Sequence, residues 1–311
     1  AVVTGEGRRG KTALFFIACS WAGSIPHWLE STKALIPAIT LALLLGGYAL
    51  QIVLADRRKA FPNSTTEIFD NKDQNKWPNV DILVAARDEE AVIGRLVEQL
   101  SGLKYPKEKL SISIIDDGSN DQTPLLLADL SLKFSKLNII KRPRSAGGGK
   151  SGALNDALNQ TSGDWLLILD ADAQLNEDAL QRVVAFALNG DWTAVQLRKA
   201  VINTDFNQLT RVQSMEMAMD AVIQQGRLAG SGVVELRGNG QLLQRSMLCK
   251  CGGFNEETVT DDLDLSFRLL ISGAKIGILW DPPVKEEAVD TWKSLLRQRQ
   301  RWAEGGLQRF F

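Results

Sequence analysis

The chain has 311 residues, enough to bury a sizeable core, and its 36 basic and 37 acidic side chains leave a formal net charge of -1. That balance offers no global field for holding DNA or RNA by counterion release, so no nucleic acid partner is expected. One histidine (His27) excludes a Ser-His-Asp triad or a multi-histidine metal site, and three cysteines (Cys19, Cys249, Cys251) are too few for a disulfide framework; the chemistry must rest on carboxylates in a reduced, cytoplasmic setting.

The first feature in chain order is Gly5-Glu6-Gly7-Arg8-Arg9-Gly10-Lys11-Thr12, which fits the phosphate-loop pattern G-x-x-x-x-G-K-[ST] and makes a nucleotidase a remote alternative. Its context argues against it, because only Ala1 to Thr4 precede the loop and an apolar stretch follows. Thr12 to Leu29 is a weak membrane-span candidate, interrupted by Pro26 and His27 but carrying Trp21 and Trp28, which suit an interface. Ala34 to Ala55 is stronger: about 22 residues without a charge, enough at ~1.5 Å per residue to cross a hydrocarbon core of ~30 Å. A buried core helix is the plain alternative, although core helices of that length normally carry polar positions. Arg8, Arg9 and Lys11 precede the pair and Arg57, Arg58 and Lys59 follow it, so both flanks are expected in the cytoplasm. Residues 1–60 thus read as a transmembrane hairpin, 61–79 as a polar linker, and 80–311 as a cytoplasmic domain ending in an amphipathic segment. The chain opens on Ala1 and stops at Phe311, which reads as part of a longer protein.

Beyond the linker, short apolar runs at Val80 to Ala86, Ser111 to Ile115, Leu137 to Ile140 and Trp165 to Leu169 alternate with helical stretches near Glu89 to Ser101, Pro124 to Phe134 and Ser151 to Gln160. Such alternation predicts an α/β fold with a mainly parallel sheet flanked by helices. Three of the strands run into acids: Arg87-Asp88-Glu89, Asp116-Asp117 and Asp170-Ala171-Asp172. Ligands of open α/β sheets bind outside the carboxyl ends of strands, so these acids are expected to share one crevice. Any one cluster is equally well explained as turn or helix-start chemistry. Asp170-x-Asp172 suits a hard divalent cation, Mg²⁺ or Mn²⁺, that also binds a diphosphate. Arg144 to Asn155 (RSAGGGKSGALN) offers glycine backbone N–H groups and Lys150 to phosphate oxygens, or is a surface loop.

Further on, Asp205 to Gln225 carries Met215, Met217, Met219 and Val222 on a helical stretch. Glu235 to Arg245 contains Gly238-Asn239-Gly240, which permits close backbone approach or forms a simple turn. Thr260 to Asp264 starts a helix reaching about Ser272. Thr291 to Phe311 mixes apolar residues with arginines and is a candidate for lying on an anionic membrane surface, though amphipathic packing against the domain explains it as well.

The ordered series Val84-Ala85-Ala86-Arg87-Asp88-Glu89, Ile115-Asp116-Asp117-Gly118-Ser119, Gly149-Lys150-Ser151-Gly152-Ala153-Leu154-Asn155, Asp170-Ala171-Asp172, Thr260-Asp261-Asp262 and Gln298-Arg299-Gln300-Arg301-Trp302 resembles the family 2 inverting glycosyltransferases. These include cellulose, hyaluronan and chitin synthases and several membrane glycolipid synthases. The resemblance covers about residues 80 to 303 and implies a GT-A fold acting on a UDP-sugar. By position it implies that Asp117 holds the uracil ring with Arg87 and Glu89 nearby, that Lys150 and Asp170 contact the nucleotide or its diphosphate, and that Asp172 coordinates the metal. It implies Asp262 as the base that deprotonates the acceptor hydroxyl, with Gln298, Arg301 and Trp302 closing the donor site. The family usually has Thr-Glu-Asp where this chain has Thr260-Asp261-Asp262, which puts the role of Asp261 in doubt. Arg237 to Gln241 and Gln300 to Phe311 look most like the cyanobacterial glycolipid synthases that add one β-glucose to diacylglycerol. The resemblance therefore implies UDP-glucose as donor and diacylglycerol as membrane acceptor, with a processive polysaccharide synthase as the alternative.

Overall fold

The computed structural model of the protein describes residues 8–28, 31–58 and 77–308, with no account of the side chains at 8–13, 26, 27, 31–34, 52, 53 and 55–58. Four strands, β1 (Val80–Ala86), β2 (Leu110–Asp117), β3 (Leu137–Arg142) and β4 (Trp165–Leu169), pair in parallel. β1 and β4 are nearly continuous runs of buried side chains, as expected of strands covered on both faces. The sheet continues through β5 (Ala194–Val201), β6 (Gln241–Gln244) and β7 (Ile276–Glu286) in the order β3-β2-β1-β4-β6-β5-β7. Among the described strands only β6 runs antiparallel. This is the GT-A-like α/β arrangement expected from the alternation of elements.

Chain direction decides where a ligand goes. From β1 the chain moves outward to β2 and β3, then returns to the other side of β1 as β4. The crevice beyond the carboxyl ends of β1 and β4 is therefore a topological switch point. Helices α3 (Ile93–Ser101), α4 (Thr123–Lys133), α5 (Gly149–Leu158) and α6 (Ala179–Asn189) cover the faces. α3 buries Ile93, Leu96, Val97 and Leu100, the i, i+3, i+4, i+7 spacing of one helix face. The helix expected from Glu89 begins only at Ile93. Its first four positions form a turn instead, in which the N–H groups of Glu89 and Glu90 donate to Thr123 Oγ1 (2.9 Å) and Asp121 Oδ2 (3.0 Å).

The second half adds α7 (Gln208–Ser231), opened by a reciprocal Asn207/Thr210 cap, then α8 (Arg245–Lys250), α9 (Asp261–Ile271) and α10 (Trp292–Gln308). At the other end, Trp77 is buried, meets the Tyr105 ring edge-on at 5.2 Å, and Tyr105 donates its hydroxyl to the Pro78 carbonyl at 2.8 Å. The packed domain thus starts at Trp77, three residues before its expected start at Val80; residues 61–76 lie outside the described residues.

Two helices, α1 (Arg8–Ser24) and α2 (Ser31–Arg58), precede the domain, and α2 lies alongside α7. Among the described residues no helix is long and apolar enough to cross a membrane. The described side chains of α2 run unbroken only from Leu35 to Gln51, about 26 Å of helix against a core of ~30 Å, and all of them are exposed. The described residues therefore do not show the two expected spans. Of the phosphate-loop match, Gly5 to Gly7 lie outside them too, and Arg8 to Thr12 are described by their backbone alone, in the first turns of α1.

Candidate active site

The carboxyl ends of β1, β2 and β4 open onto a cavity of ≈ 850 Å³. All ten side chains singled out from the sequence line it: Arg87, Glu89, Asp117, Lys150, Asp170, Asp172, Asp262, Gln298, Arg301 and Trp302. A cleft of ~300–1,000 Å³ is the usual size for a small-molecule site.

At one end, Asp117 terminates β2 with its carboxylate almost wholly buried. Arg87 and Arg142 each pair with one of its oxygens, and Arg87 Nε also donates to the Asp117 carbonyl at 2.9 Å. Arg142, buried on β3, is a partner the sequence reading missed; it also pairs with Asp156 at 2.5 Å and donates to the Gly147 carbonyl at 3.1 Å. Two flanking cations keep the buried carboxylate in place as a fixed acceptor. Asp88 and Asp116, by contrast, do turn work: they accept the N–H groups of Asn120 and Ser119.

The loop between Arg142 and α5 passes through Gly147, Gly148 and Gly149 at φ 73°, 67° and 53°. Three successive positive φ values are accessible at little cost only to glycine, and they deliver Lys150 into the cleft at the start of α5. Lys150 Nζ donates to Asp170 Oδ1 at 2.5 Å and to the Gly238 carbonyl at 3.1 Å. Burial opposes its charge, yet Asp170, Asp261 and Asp262 outweigh burial and hold its pKa above the usual lysine range. Asp172 faces the same space; burial first, then Asp170 and Glu286, push its carboxyl up. Glu89 is raised by burial and by Asp172 and Asp170.

Acidic side chains outnumber basic ones around the cavity. Among the described residues no three ligating side chains converge closely enough to hold an ion unaided. The donor set nevertheless fits a hard cation: Asp170 and Asp172 supply carboxylate oxygens, and Mg²⁺-type ions normally complete their shell with phosphate oxygens and water.

Gly238-Asn239-Gly240 lies beneath this cluster. Asn239 is fully buried; its Oδ1 accepts the Asp170 N–H at 3.1 Å and its Nδ2 donates to Glu286 Oε2 at 3.1 Å. Glu286 in turn pairs with Lys199 at 2.7 Å. Lys199 and Glu286, on β5 and β7, also line the cavity and were not foreseen. A basic residue inside an apolar run was the available signal for Lys199; Glu286 was hidden because Pro282 and Pro283 disguise β7 as a loop.

Asp262 sits in the first turn of α9, where its Oδ1 accepts the N–H of Leu263 at 3.0 Å. Burial and then the neighbouring Asp261 raise its pKa, against the lowering pull of Lys150 and Lys199. A Cβ at Gly238 would lie 3.4 Å from Asp262 Oδ2, so the glycine backbone walls the carboxylate on that side. Facing it, α10 presents Gln298, Arg301 and Trp302. The neighbouring Arg299 anchors the helix by pairing with Glu216 at 2.6 Å and lies 4.5 Å over the Trp302 ring.

Known proteins share the sequence and the fold of this chain. The β-monoglucosyldiacylglycerol synthase of Synechocystis sp. is 44% identical over 98% of this chain and 62% of its own length; that of Nostoc sp. is 44% identical over 98% and 63%. The chain thus spans less than two thirds of these relatives. A probable glycosyltransferase of Bacillus subtilis, YdaM, is 30% identical over 75% of the chain and 56% of its own. Among solved structures, a mannosyltransferase of Pyrobaculum calidifontis in complex with GDP-Man and Mn²⁺ superposes with a TM-score of 0.69 at 22% identity, over 88% of this chain and 73% of that one, a likeness of fold. The family model described as glycosyltransferase like family 2 matches residues 78–305, and the chain belongs to that family.

Proposed function

We propose that this domain transfers glucose from UDP-glucose to diacylglycerol with inversion, giving a β-linked monoglucosyl lipid. The observation that carries the reading is the meeting, in one cleft, of the arginine-clamped Asp117, the Lys150/Asp170/Asp172 cluster and Asp262. In this reading Asp117 and Arg87 hold the uracil ring, with Glu89 nearby, while Lys150, Asp170 and Arg301 face the diphosphate. A Mg²⁺ or Mn²⁺ held by Asp172 would neutralise charge on the departing diphosphate. Asp262 takes the proton from the acceptor hydroxyl as its oxygen bonds to the anomeric carbon and the bond to the diphosphate breaks on the opposite face. Its raised pKa makes it a better proton acceptor than an ordinary aspartate. Gln298 and Trp302 close over the bound sugar.

Diacylglycerol as acceptor is supported by the relatives' names and by the exposed apolar side chains of α1 and α2, among them Leu14, Phe16, Leu43 and Leu44. Together with α7 and α10 they suit a domain held against a bilayer, α1 and α2 forming an integral membrane hairpin with the catalytic domain on its cytoplasmic side. The test is to supply labelled UDP-glucose and diacylglycerol vesicles and separate lipid-soluble from insoluble product. Label in the lipid phase supports the reading; label in insoluble polymer would replace it with a processive synthase.

A further inference from the structure

Gln298, Arg301, Gly305 and Gln308 follow one another at steps of three, four and three residues, so they share a single face of α10. The first two line the cleft; the last two are buried against the segment that leads into Asp262. Gly305 packs on Thr260 so closely that a Cβ there would stand 2.1 Å from Thr260 Oγ1, 2.4 Å from its Cγ2 and 2.6 Å from its Cβ. Gln308, 3% exposed, accepts the N–H of Val259 on Oε1 at 3.1 Å, and its Nε2 donates to Glu304 at 3.3 Å, which fixes the amide's orientation. Thr260 precedes the first residue of α9, yet its hydroxyl makes no cap and is buried without a hydrogen-bond partner, so packing against Gly305 is what places it.

We propose that Gly305 and Gln308 are positioning residues that lock the helix carrying Gln298, Arg301 and Trp302 to the loop that presents Asp262, so that the donor-closing side chains and the base keep one fixed separation. The proposal deepens the reading of Asp262 as the base and rests on it. A methyl group at 305 must part α10 and Thr260 by on the order of 1 Å, and misplacement by that amount can cost ~100-fold in rate when the groups themselves are intact.

The experiment uses the full chain as wild type, Gly305→Ala, Thr260→Gly and the double variant, with Gln308→Met as a second probe that keeps volume and removes the acceptor for Val259. UDP-glucose binding is read by calorimetry, turnover as UDP release with diacylglycerol vesicles, and stability as Tm. Gly305→Ala should lower kcat by about ten- to hundredfold with UDP-glucose Kd changed less than twofold. The double variant should recover to within about threefold of Thr260→Gly alone, because the glycine vacates the space that the methyl needs. The loss of Tm caused by Gly305→Ala should also shrink in the Thr260→Gly background, a readout independent of any chemistry. Gln308→Met should lower kcat with donor binding kept. Wild-type kcat in both Gly305→Ala and Gln308→Met, or strictly additive effects of the 305 and 260 substitutions on both kcat and Tm, would overturn the lock. Retained turnover in Asp262→Asn would instead overturn the base assignment, with the 305/260 coupling still deciding the lock.

Discussion

Asp262 is held in its place at a cost to the fold. Burial and Asp261 raise its pKa, so ionising it in the folded protein is harder than in the unfolded chain. The linkage sign follows: stability tied to this group is present below the ordinary aspartate pKa and lost as pH rises through the raised folded value. Asp262→Asn should therefore raise Tm at pH 7 relative to wild type, a difference that vanishes in acid, while turnover falls by about 10²–10⁴ and UDP-glucose binding is retained. Scanning calorimetry across pH checks the first part; a lower Tm for the variant at pH 7 would contradict it. Arg142 acts in the opposite sense. Removing it leaves the Asp117 carboxylate with Arg87 alone, and breaking a buried pair typically costs about 3–5 kcal/mol, so Arg142→Met should unfold at clearly lower denaturant and lose nucleotide affinity. Asp117 could be picked out from its place at a strand end, but Arg142 could not, because nothing in Lys141-Arg142-Pro143 says which way an arginine on a neighbouring strand points.

Among the elements, the strands buried on both faces were legible because they are continuous apolar runs: β1 and β4 match their expected ends, and β2 and β3 extend slightly past theirs. β5 and β7 were not. β5 is buried only through its first four residues before its pattern turns half-exposed, and β7 contains Asp281-Pro282-Pro283, which reads as a break. Their pairing depends on long-range partners such as Lys199 with Val284, set by the rest of the sheet. The Gly238-Asn239-Gly240 turn shows the same dependence: its glycines were visible, their purpose was not. Gly240 stands at φ 73° with Val284 Cγ1 2.6 Å from where a Cβ would be. Gly240→Ala should cost about 2 kcal/mol or more through strain and overpacking, a Tm loss of roughly 4–8 °C by thermal melting; an unchanged Tm would mean that β7 yields there. The acidic end of β4 makes a separate demand. With burial and then Asp170 raising the pKa of Asp172, and burial, Asp172 and Asp170 raising that of Glu89, stripping divalent cations with EDTA should stop turnover, and Mg²⁺ or Mn²⁺ should restore it; turnover that persists in EDTA would remove the metal role given to Asp172.

On the scale of the molecule, a sheet that ends three acid-bearing strands at one edge faces a pair of helices, α9 and α10, that return to close that edge. The sequence carried this plan because each motif marks a strand end or a helix start, and such positions must meet once the strands are parallel. It could not fix how the N-terminal helices sit, since an apolar run states length and hydropathy but not neighbours. If α1 and α2 anchor the domain, the protein should remain in the membrane pellet through alkaline carbonate extraction; release into the supernatant would contradict the anchor. The most direct test of the whole account is the product itself. Protein incubated with ¹³C-glucose-labelled UDP-glucose and diacylglycerol in micelles, followed by NMR of the lipid fraction, should yield a β-glucosyl lipid from the α-linked donor, and at least about 100-fold less in the same time with Asp262→Asn. An α-linked lipid, or labelled free glucose alone, would contradict it.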